Sequence, residues 1–448
     1  MSELIVYPSV DLQGRVCVPG DKSISHRALM LGALADGVSR IEGFLSGADC
    51  LATVDCMRAL GIEVEVSKST GENGVASVDI TIHGRGLRGL RAPSSPLDCV
   101  RSGTTMRLMA GILAGQEFTS VLTGDPQLLR RPMRRITEPL LAMGADITDT
   151  EGHAPLCIQG RQLQGIAHTL TVASAQVKSA ILLAGLFAEG ATVVHECGPA
   201  RDHTERMLKS QIKNQRIGES ALSVDNLVVT LDPAGIDHLE PLNMTVPGDI
   251  SSAAFLLVAA LLAAGSEIAL EGVGVNPTRT GLLDVLATMG ADIVLANQHE
   301  QGGEPVADLV MRSTSLVGAE IGDDTVVQMI DEFPILAVAA TQARGTTVVR
   351  DARELRVKET DRIATVVTEL RKLGAQIEAH EDGFIVEGPT PLRGAAVDSH
   401  GDHRLGMALA VAGLVAEGET VIENANCIAD SFPGFGNVLR SLGAKLVE

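Results

Sequence analysis

The chain repeats one pattern six times, which limits it to folds assembled from six similar units. Each unit opens on an anchor rich in Gly, Ser or Asp: PGDKS from Pro19, SGTTMR from Ser102, SAQVKSA from Ser174, PGDISSAAF from Pro247, DEFPIL from Asp331 and GDHRLGM from Gly401. Successive anchors lie about 70–85 residues apart. An Ala/Leu/Met-rich helix follows, then a stop such as ADG, AEGATVV, AAGSEIAL, ARGTTVV or AEGETVI that leads into an alternating strand. Most units carry a second helix ending in LGI, MGA or LGA. There the glycine is placed to take a positive φ and turn the chain into another strand.

Two helices and several strands per unit predict an α/β (α+β) architecture. Helices buried on most sides must be covered by sheet, so three units grouped around internal helices make a natural domain. A length of 448 residues allows two or three domains. One break falls near Leu242–Val246, and a second crossing near Gly14–Gly20. The units are longer than ordinary solenoid repeats, which argues against an open array. The apolar stretches Ser179–Ala188 and Ala253–Ala264 are too short to cross a bilayer and read as buried helices.

Composition narrows the function. There is no Trp, one Tyr (Tyr7) and eight Phe. Leu, Val, Ile, Ala and Met must therefore fill the cores, and stacking platforms for single-stranded nucleic acid are scarce. With 36 Lys+Arg against 56 Asp+Glu the net charge is −20, which repels duplex DNA and anionic membranes. The seven cysteines (Cys17, Cys50, Cys56, Cys99, Cys157, Cys197, Cys427) form no CxxC pair, and the opening MSELIVYPSVDLQG has no basic region followed by an apolar one. A reduced, cytoplasmic, metal-free protein is the simplest expectation.

The anchors share a physical logic. A helix start carries free N–H groups and a dipole that favours an anion, and hydroxyl or cationic side chains sit close by. PGDKSISHRALM supplies Lys22, Ser23 and Arg27, the last two four apart on one face; SGTTMR supplies Thr104 beside Gly103, with Arg107 further on. TGDPQLLRRPM gives Arg131, SAQVKSA gives Ser174, Gln176 and Lys178, and GDHRLGM gives Asp402, His403 and Arg404. RVKETDR gives Lys358, Glu359 and Arg362, with 358 and 362 expected on one helical face. Caps and surface ion pairs explain any one of these motifs. The same device recurring in a chain of charge −20 points to substrates with several negative charges, such as two phosphorylated molecules. No motif has P-loop spacing and no GxGxxG follows a strand, so ATP and NAD are unsupported.

PGDKSISHRALMLGALA, LTGDPQLLRRPM, RVKETDR and GDHRLGMALA, in this order, make the chain similar to the 5-enolpyruvylshikimate-3-phosphate synthase family along essentially its whole length. The resemblance implies a two-domain inverted α/β barrel with three βαβαββ units per domain and the active site in the interdomain cleft. Residues 1–19 with 246–448 would form one discontinuous domain and residues 20–245 the other. It implies enolpyruvyl transfer from phosphoenolpyruvate to the 5-hydroxyl of shikimate 3-phosphate, through a tetrahedral intermediate and without cofactor or metal. A monomer is expected, with small-molecule substrates and neither nucleic acid nor membrane as partner. Carried over residue by residue, Lys22 would contact both substrates. Ser23, Arg27, Ser174 and Gln176 would hold shikimate 3-phosphate, Asp331 and Lys358 its ring hydroxyls, and Arg201 its phosphate. Arg131, Arg362 and Arg404 would clamp phosphoenolpyruvate, which Gly103 faces with Thr104 beside it. Asp49 and Glu359 complete the acidic set, and His403 lies in the same shell. Asp331 is the candidate for the 5-hydroxyl proton. Glu359 and Lys22 are candidates at C3 and the leaving phosphate; the order between them stays open, because a lysine among carboxylates and phosphates shifts either way.

Three positions depart from the family pattern. Arg101 stands where Asn is usual, Ala175 where some members have a second Ser, and Asp430 where some carry a cleft Lys. Gly103→Ala is expected to crowd the pocket and disfavour glyphosate, so the chain itself is expected to be glyphosate-sensitive. The related transferase acting on UDP-N-acetylglucosamine usually places a reactive Cys before its RP motif. LTGDPQLLRRPM has none, and Cys99 and Cys157 are expected to be core packing. A non-catalytic metabolite-binding protein on this fold would be free to lose Lys22, Asp331 and Glu359, all of which are present. A nucleic-acid end-processing enzyme conflicts with the charge. Asp361 is expected to be a structural partner rather than the acid.

Overall fold

A computed structural model describes residues 3–70, 76–212 and 221–448. The second unit shows the plan that the others repeat. Leu97–Asp98 runs parallel to Thr119–Thr123, with Leu97 opposite Leu122. Thr119–Thr123 pairs antiparallel with His153–Gln159, which pairs antiparallel with Asp146–Thr150. One parallel pair followed by two antiparallel pairs recurs in each of the other five four-stranded sheets described. Period-two alternation turns Ala154, Leu156 and Ile158 inward, so Cys157 between them faces out and is exposed. That corrects its expected core position; Cys99 is buried as expected.

Two sheets are completed by strands from distant sequence. Asn243–Thr245 supplies the parallel edge beside Asp36–Phe44, and Gln13–Cys17 supplies that beside Glu267–Gly274. Leu4–Val6 lies between Thr420–Glu423 and the C-terminal Leu446–Val447. The buried apolar side chains accordingly form two clusters. One runs from Ile24 to Val246; the other joins Leu4–Val18 to Ile250–Leu446. The chain thus builds a two-domain α/β fold. The two connections between the halves lie side by side: the Asp21 N–H donates to the Pro247 carbonyl at 2.8 Å, and the Asp249 N–H to the Pro19 carbonyl at 2.9 Å.

Six inner helices, each with one anchor at its start, fill these cores: Lys22–Leu34, Gly103–Ala114, Ala175–Gly185, Ile250–Leu262, Phe333–Gln342 and His403–Val415. Their apolar residues are not confined to one stripe, which suits helices enclosed on all sides. In the first cluster the helices Gly103–Ala114 and Ala175–Gly185 approach so closely that a Cβ on Gly111 would lie 2.2 Å from the Ala180 carbonyl oxygen. The second cluster holds the aromatic contacts, with Phe435 edge-on to both Phe255 and Phe432. The glycines ending the outer helices, Gly61, Gly144, Gly290, Gly374 and Gly443, all take φ between 85° and 101°, as their sequence context requires. No helix among the described residues is long and apolar enough to cross a membrane.

Candidate active site

Residues at or just before the start of every inner helix line one cavity of about 330 Å³ between the two halves. Six helix dipoles therefore point their positive ends at the same space. Side chains cap four of these starts, with Asp21, Ser102, Asp249 and Asp402 accepting from Ile24, Thr105, Ser251 and Arg404. The Ala175 helix has no side-chain cap, so its first N–H groups are left for a ligand.

On the first wall, Lys22 is ion-paired with Asp49. Burial works against the ammonium, but Asp49 outweighs it and raises the Lys22 pKa, while Lys22 holds Asp49 below its ordinary value. Arg27 donates to Thr204 Oγ1 at 2.7 Å, Ser179 Oγ at 2.9 Å and the Ser23 carbonyl at 2.9 Å, which fixes its guanidinium. Gln176 accepts from Arg107 and donates to Thr104 Oγ1 at 2.9 Å. A Cβ on Gly103 would stand 2.9 Å from Arg107 Nη1 and 3.2 Å from Arg131 Nη1.

On the second wall, Asp331 meets Arg201 Nη2 at 2.6 Å and Arg404 Nη2 at 3.5 Å. Burial would raise its pKa, but Arg404, Arg201, Lys358 and Arg362 together hold it well below the usual carboxylate range. Glu359 is bound by Arg362 at 2.7 Å and Arg131 at 3.0 Å. It too is held well down against burial, by Arg362 and Arg131 first. Burial lowers the Lys358 pKa. Burial, Lys22 and Arg404 push His403 down to about 4, so its ring is neutral at pH 7. The walls touch through opposite charges: Arg131 with Glu359, Arg201 with Asp331, and Arg135 with Glu354 at 3.1 Å.

Of the candidates, Lys22, Ser23, Arg27, Asp49, Gly103, Thr104, Arg131, Ser174, Ala175, Gln176, Arg201, Asp331, Lys358, Glu359, His403 and Arg404 line the cavity. Arg362 does not. It is 1 % exposed and stands behind the wall, held by Asp402 at 2.8 Å as well as Glu359. The expectation that Lys358 and Arg362 share a helical face is corrected. Asp361 accepts from the Ala364 N–H and starts the helix at Arg362, so Lys358 lies outside it in extended backbone. That cap, with an ion pair to Arg356, gives Asp361 its structural place. Arg101 lies outside the cavity lining and pairs with Asp125 at 3.0 Å and with Asp430, in the other half of the chain, at 3.5 Å. Arg107, which the sequence marks only as a cation further along its anchor helix, also lines the cavity, and so do Arg135, Asp249, Arg279, Asp351 and Glu354, to which sequence reasoning gave no role. Two signals were available: Arg135 follows Arg131 by four in a run of arginines, and PGDIS repeats the PGDKS that carries Asp21. Among the described residues, the ligand atoms that converge closely enough for a metal belong to Glu63, Glu65 and His83, none of which lines the cavity.

A profile of the family described as EPSP synthase (3-phosphoshikimate 1-carboxyvinyltransferase) matches residues 6–439. The chain belongs to that family. It is 51 % identical to the 3-phosphoshikimate 1-carboxyvinyltransferase of Desulforamulus reducens over 98 % of this chain and 99 % of the relative. With that of Geobacter sulfurreducens it shares 51 % identity over 99 % of this chain and 100 % of the relative. The solved EPSP synthase of Acinetobacter baumannii superposes with a TM-score of 0.85 at 43 % identity, covering 100 % of both chains. Membership makes this chain an enolpyruvyl transferase of the shikimate pathway, which moves the enolpyruvyl group of phosphoenolpyruvate to shikimate 3-phosphate.

Proposed function

We propose that the cleft carries out this transfer with Asp331, Glu359 and Lys22 moving the protons. The observation that carries the reading is local charge. Nine Lys or Arg side chains against six carboxylates line the cavity, in a chain of net charge −20. Two phosphorylated substrates suit that excess, and the six helix starts add to it. Ser23, Arg27, Ser174, Gln176 and Arg201 hold shikimate 3-phosphate, aided by the helix start at Ala175, while Asp331 and Lys358 meet its ring hydroxyls. Arg131 and Arg404 hold phosphoenolpyruvate beside Gly103 and Thr104. Arg362 acts from behind, positioning Glu359 and Asp331.

Substrate binding arms the acids and bases. In the resting cleft Arg201 engages Asp331 and Arg131 engages Glu359. Substrate anions compete for those arginines, so both carboxylates lose compensation and their pKa values rise toward a useful range. In the addition, the 5-oxygen bonds to C2, its proton passes to Asp331, and C3 gains a proton from Glu359. In the elimination, C3 returns a proton to Glu359 as the C–O bond to phosphate breaks. The leaving phosphate takes a proton from Lys22, the group whose raised pKa keeps it charged. Residues 1–19 with 246–448, and residues 20–245, are the two bodies that close on the ligands, hinged at the paired connections. One chain supplies both walls, which supports a monomer, and the reaction belongs in the cytoplasm.

The test is phosphate release from phosphoenolpyruvate by the purified protein, with shikimate 3-phosphate, without it, and with UDP-N-acetylglucosamine. Release that requires shikimate 3-phosphate, with the enolpyruvyl product seen by mass spectrometry, supports the reading. Release that requires the UDP-sugar overturns the acceptor, and a folded protein silent in every tube overturns the chemistry.

A further inference from the structure

We infer that Arg107 is an additional anion-holding residue of the cleft, seating phosphoenolpyruvate at the start of the Gly103–Ala114 helix; this rests on the reaction proposed above. Each of Arg131, Arg135, Arg201, Arg279 and Arg404 lines the cavity with a carboxylate partner. Arg107 has no such ion pair among the described residues. Its Nη1 donates to the neutral amide of Gln176, and its Nε is out of solvent with no partner. Arg27 also lacks a carboxylate, but three neutral oxygens occupy its donors. Arg107 is therefore the lining arginine whose charge the resting protein compensates least.

The geometry says what relieves it. The Cβ position of Gly103 is 2.9 Å from Arg107 Nη1 and 3.2 Å from Arg131 Nη1, so two guanidinium ends converge on the first residue of a helix. Two cations around a helix N-terminus make a seat for a carboxylate or phosphate. Burial lowers the Arg107 pKa to about 10, as it does that of Arg27, but for Arg107 the next largest causes, Arg131 and Arg135, repel its charge, whereas for Arg27 they are the carboxylates Glu205 and Asp21. The competing explanation is that Arg107 merely props Gln176 on the shikimate 3-phosphate side.

Arg107→Gln and Arg107→Lys separate the two. We would measure KM for phosphoenolpyruvate at saturating shikimate 3-phosphate, and shikimate 3-phosphate affinity alone by calorimetry. Loss of a charged hydrogen bond predicts a KM for phosphoenolpyruvate raised about ten- to a hundredfold in Arg107→Gln, with shikimate 3-phosphate affinity within about twofold. Arg107→Lys recovers part of the loss, keeping the charge without the planar fork. An unchanged KM for phosphoenolpyruvate, or an equal loss of shikimate 3-phosphate affinity, overturns the inference. If Arg107→Gln does not fold, Arg107→Lys decides by the same split. A wild-type protein that releases no phosphate defeats the proposed reaction itself; an active wild type with an indifferent Arg107→Gln variant defeats only this inference.

Discussion

Two arginines lining the same cavity are treated in opposite ways. Arg279 is 2 % exposed and donates to Asp21 at 2.8 Å, Asp249 at 3.0 Å and Ser251 at 2.7 Å. Those two aspartates cap the helices that follow the two crossings between the halves, so Arg279 ties the crossings together. Burial opposes its charge, but Asp21 and Asp249 more than offset that and raise its pKa. Arg107 is less deeply buried and has no carboxylate partner among the described residues, yet its pKa falls. The partner, rather than the burial, separates a strut from a seat.

Carboxylates offer the hardest test of that division. Asp21 is a strut, bound to Arg279; Asp331 belongs to the seat, engaged by arginines that substrate anions are expected to claim. Asp331→Asn keeps the shape and removes the base, so kcat should fall by roughly a hundred- to ten-thousandfold in phosphate-release assays. A fall of less than about tenfold would move Asp331 to the struts. Next in size is Arg279→Met, which strands two buried carboxylates. It should cost about 3–5 kcal/mol in urea unfolding. In the same assay Arg107→Gln should leave the ligand-free midpoint unchanged or higher, because an uncompensated charge has been removed. Equal losses in the two variants would erase the distinction.

That distinction was not written in the sequence, although most of the scaffold was. The six anchors, the inner helices and the glycines ending the outer helices are local signals, since each depends on a few neighbouring residues. Part of the candidate site was legible for the same reason: Lys22, Ser23, Gly103, Thr104, Gln176, His403 and Arg404 sit at helix starts that the repeat marks. Arg131, Lys358 and Glu359 lie outside them, and Asp49 and Arg201 came only with the family resemblance. What escaped depends on contacts between distant segments. Arg279 lies in an undistinguished VNPTRTG stretch, and nothing there shows that its partners are 258 and 30 residues away. The depth of Arg362 behind Glu359 was likewise hidden, because its spacing from Lys358 suggested a continuous helix that the Asp361 cap forbids.

Gly103→Ala tests whether the seat is rigid. The new methyl must push Arg107 Nη1 and Arg131 Nη1, and neither is loose: Glu359 holds Arg131 at 3.0 Å, while Gln176, itself tied to Thr104, holds Arg107. The KM for phosphoenolpyruvate should rise about tenfold, or roughly 1.4 kcal/mol. Glyphosate inhibition should weaken further, and the urea midpoint should barely move. An unchanged KM would mean that both guanidinium ends swing aside freely, and that the helix start alone seats the anion.

A third treatment of a buried base lies beside Lys22. The ring of His26 is fully buried, its Nδ1 2.7 Å from Thr53 Oγ1 and its Nε2 without a partner among the described residues. Burial, then Lys22, lowers its pKa to about 3 from an ordinary value of 6.5. Arginine at pH 7 keeps its charge even when unpaired; histidine, so much closer to neutrality, surrenders it. Between those two pKa values the unfolded chain binds the extra proton. The stability due to neutral burial is therefore complete above about pH 6.5 and is lost as pH falls toward 3. The slope is about 1.4 kcal/mol per pH unit well inside the window, and smaller near its upper edge. His403, with a pKa of about 4, adds a slope of the same sign. His168, also lowered by burial, adds to the same slope, so urea midpoints of wild type and His26→Gln between pH 6.5 and 5, above the usual carboxylate range, should show a shallower slope in the variant that is not abolished. An undiminished slope would mean that His26 keeps its proton in the folded protein, and that Asp49, close enough to act on it, serves as the counter-charge that Arg107 lacks.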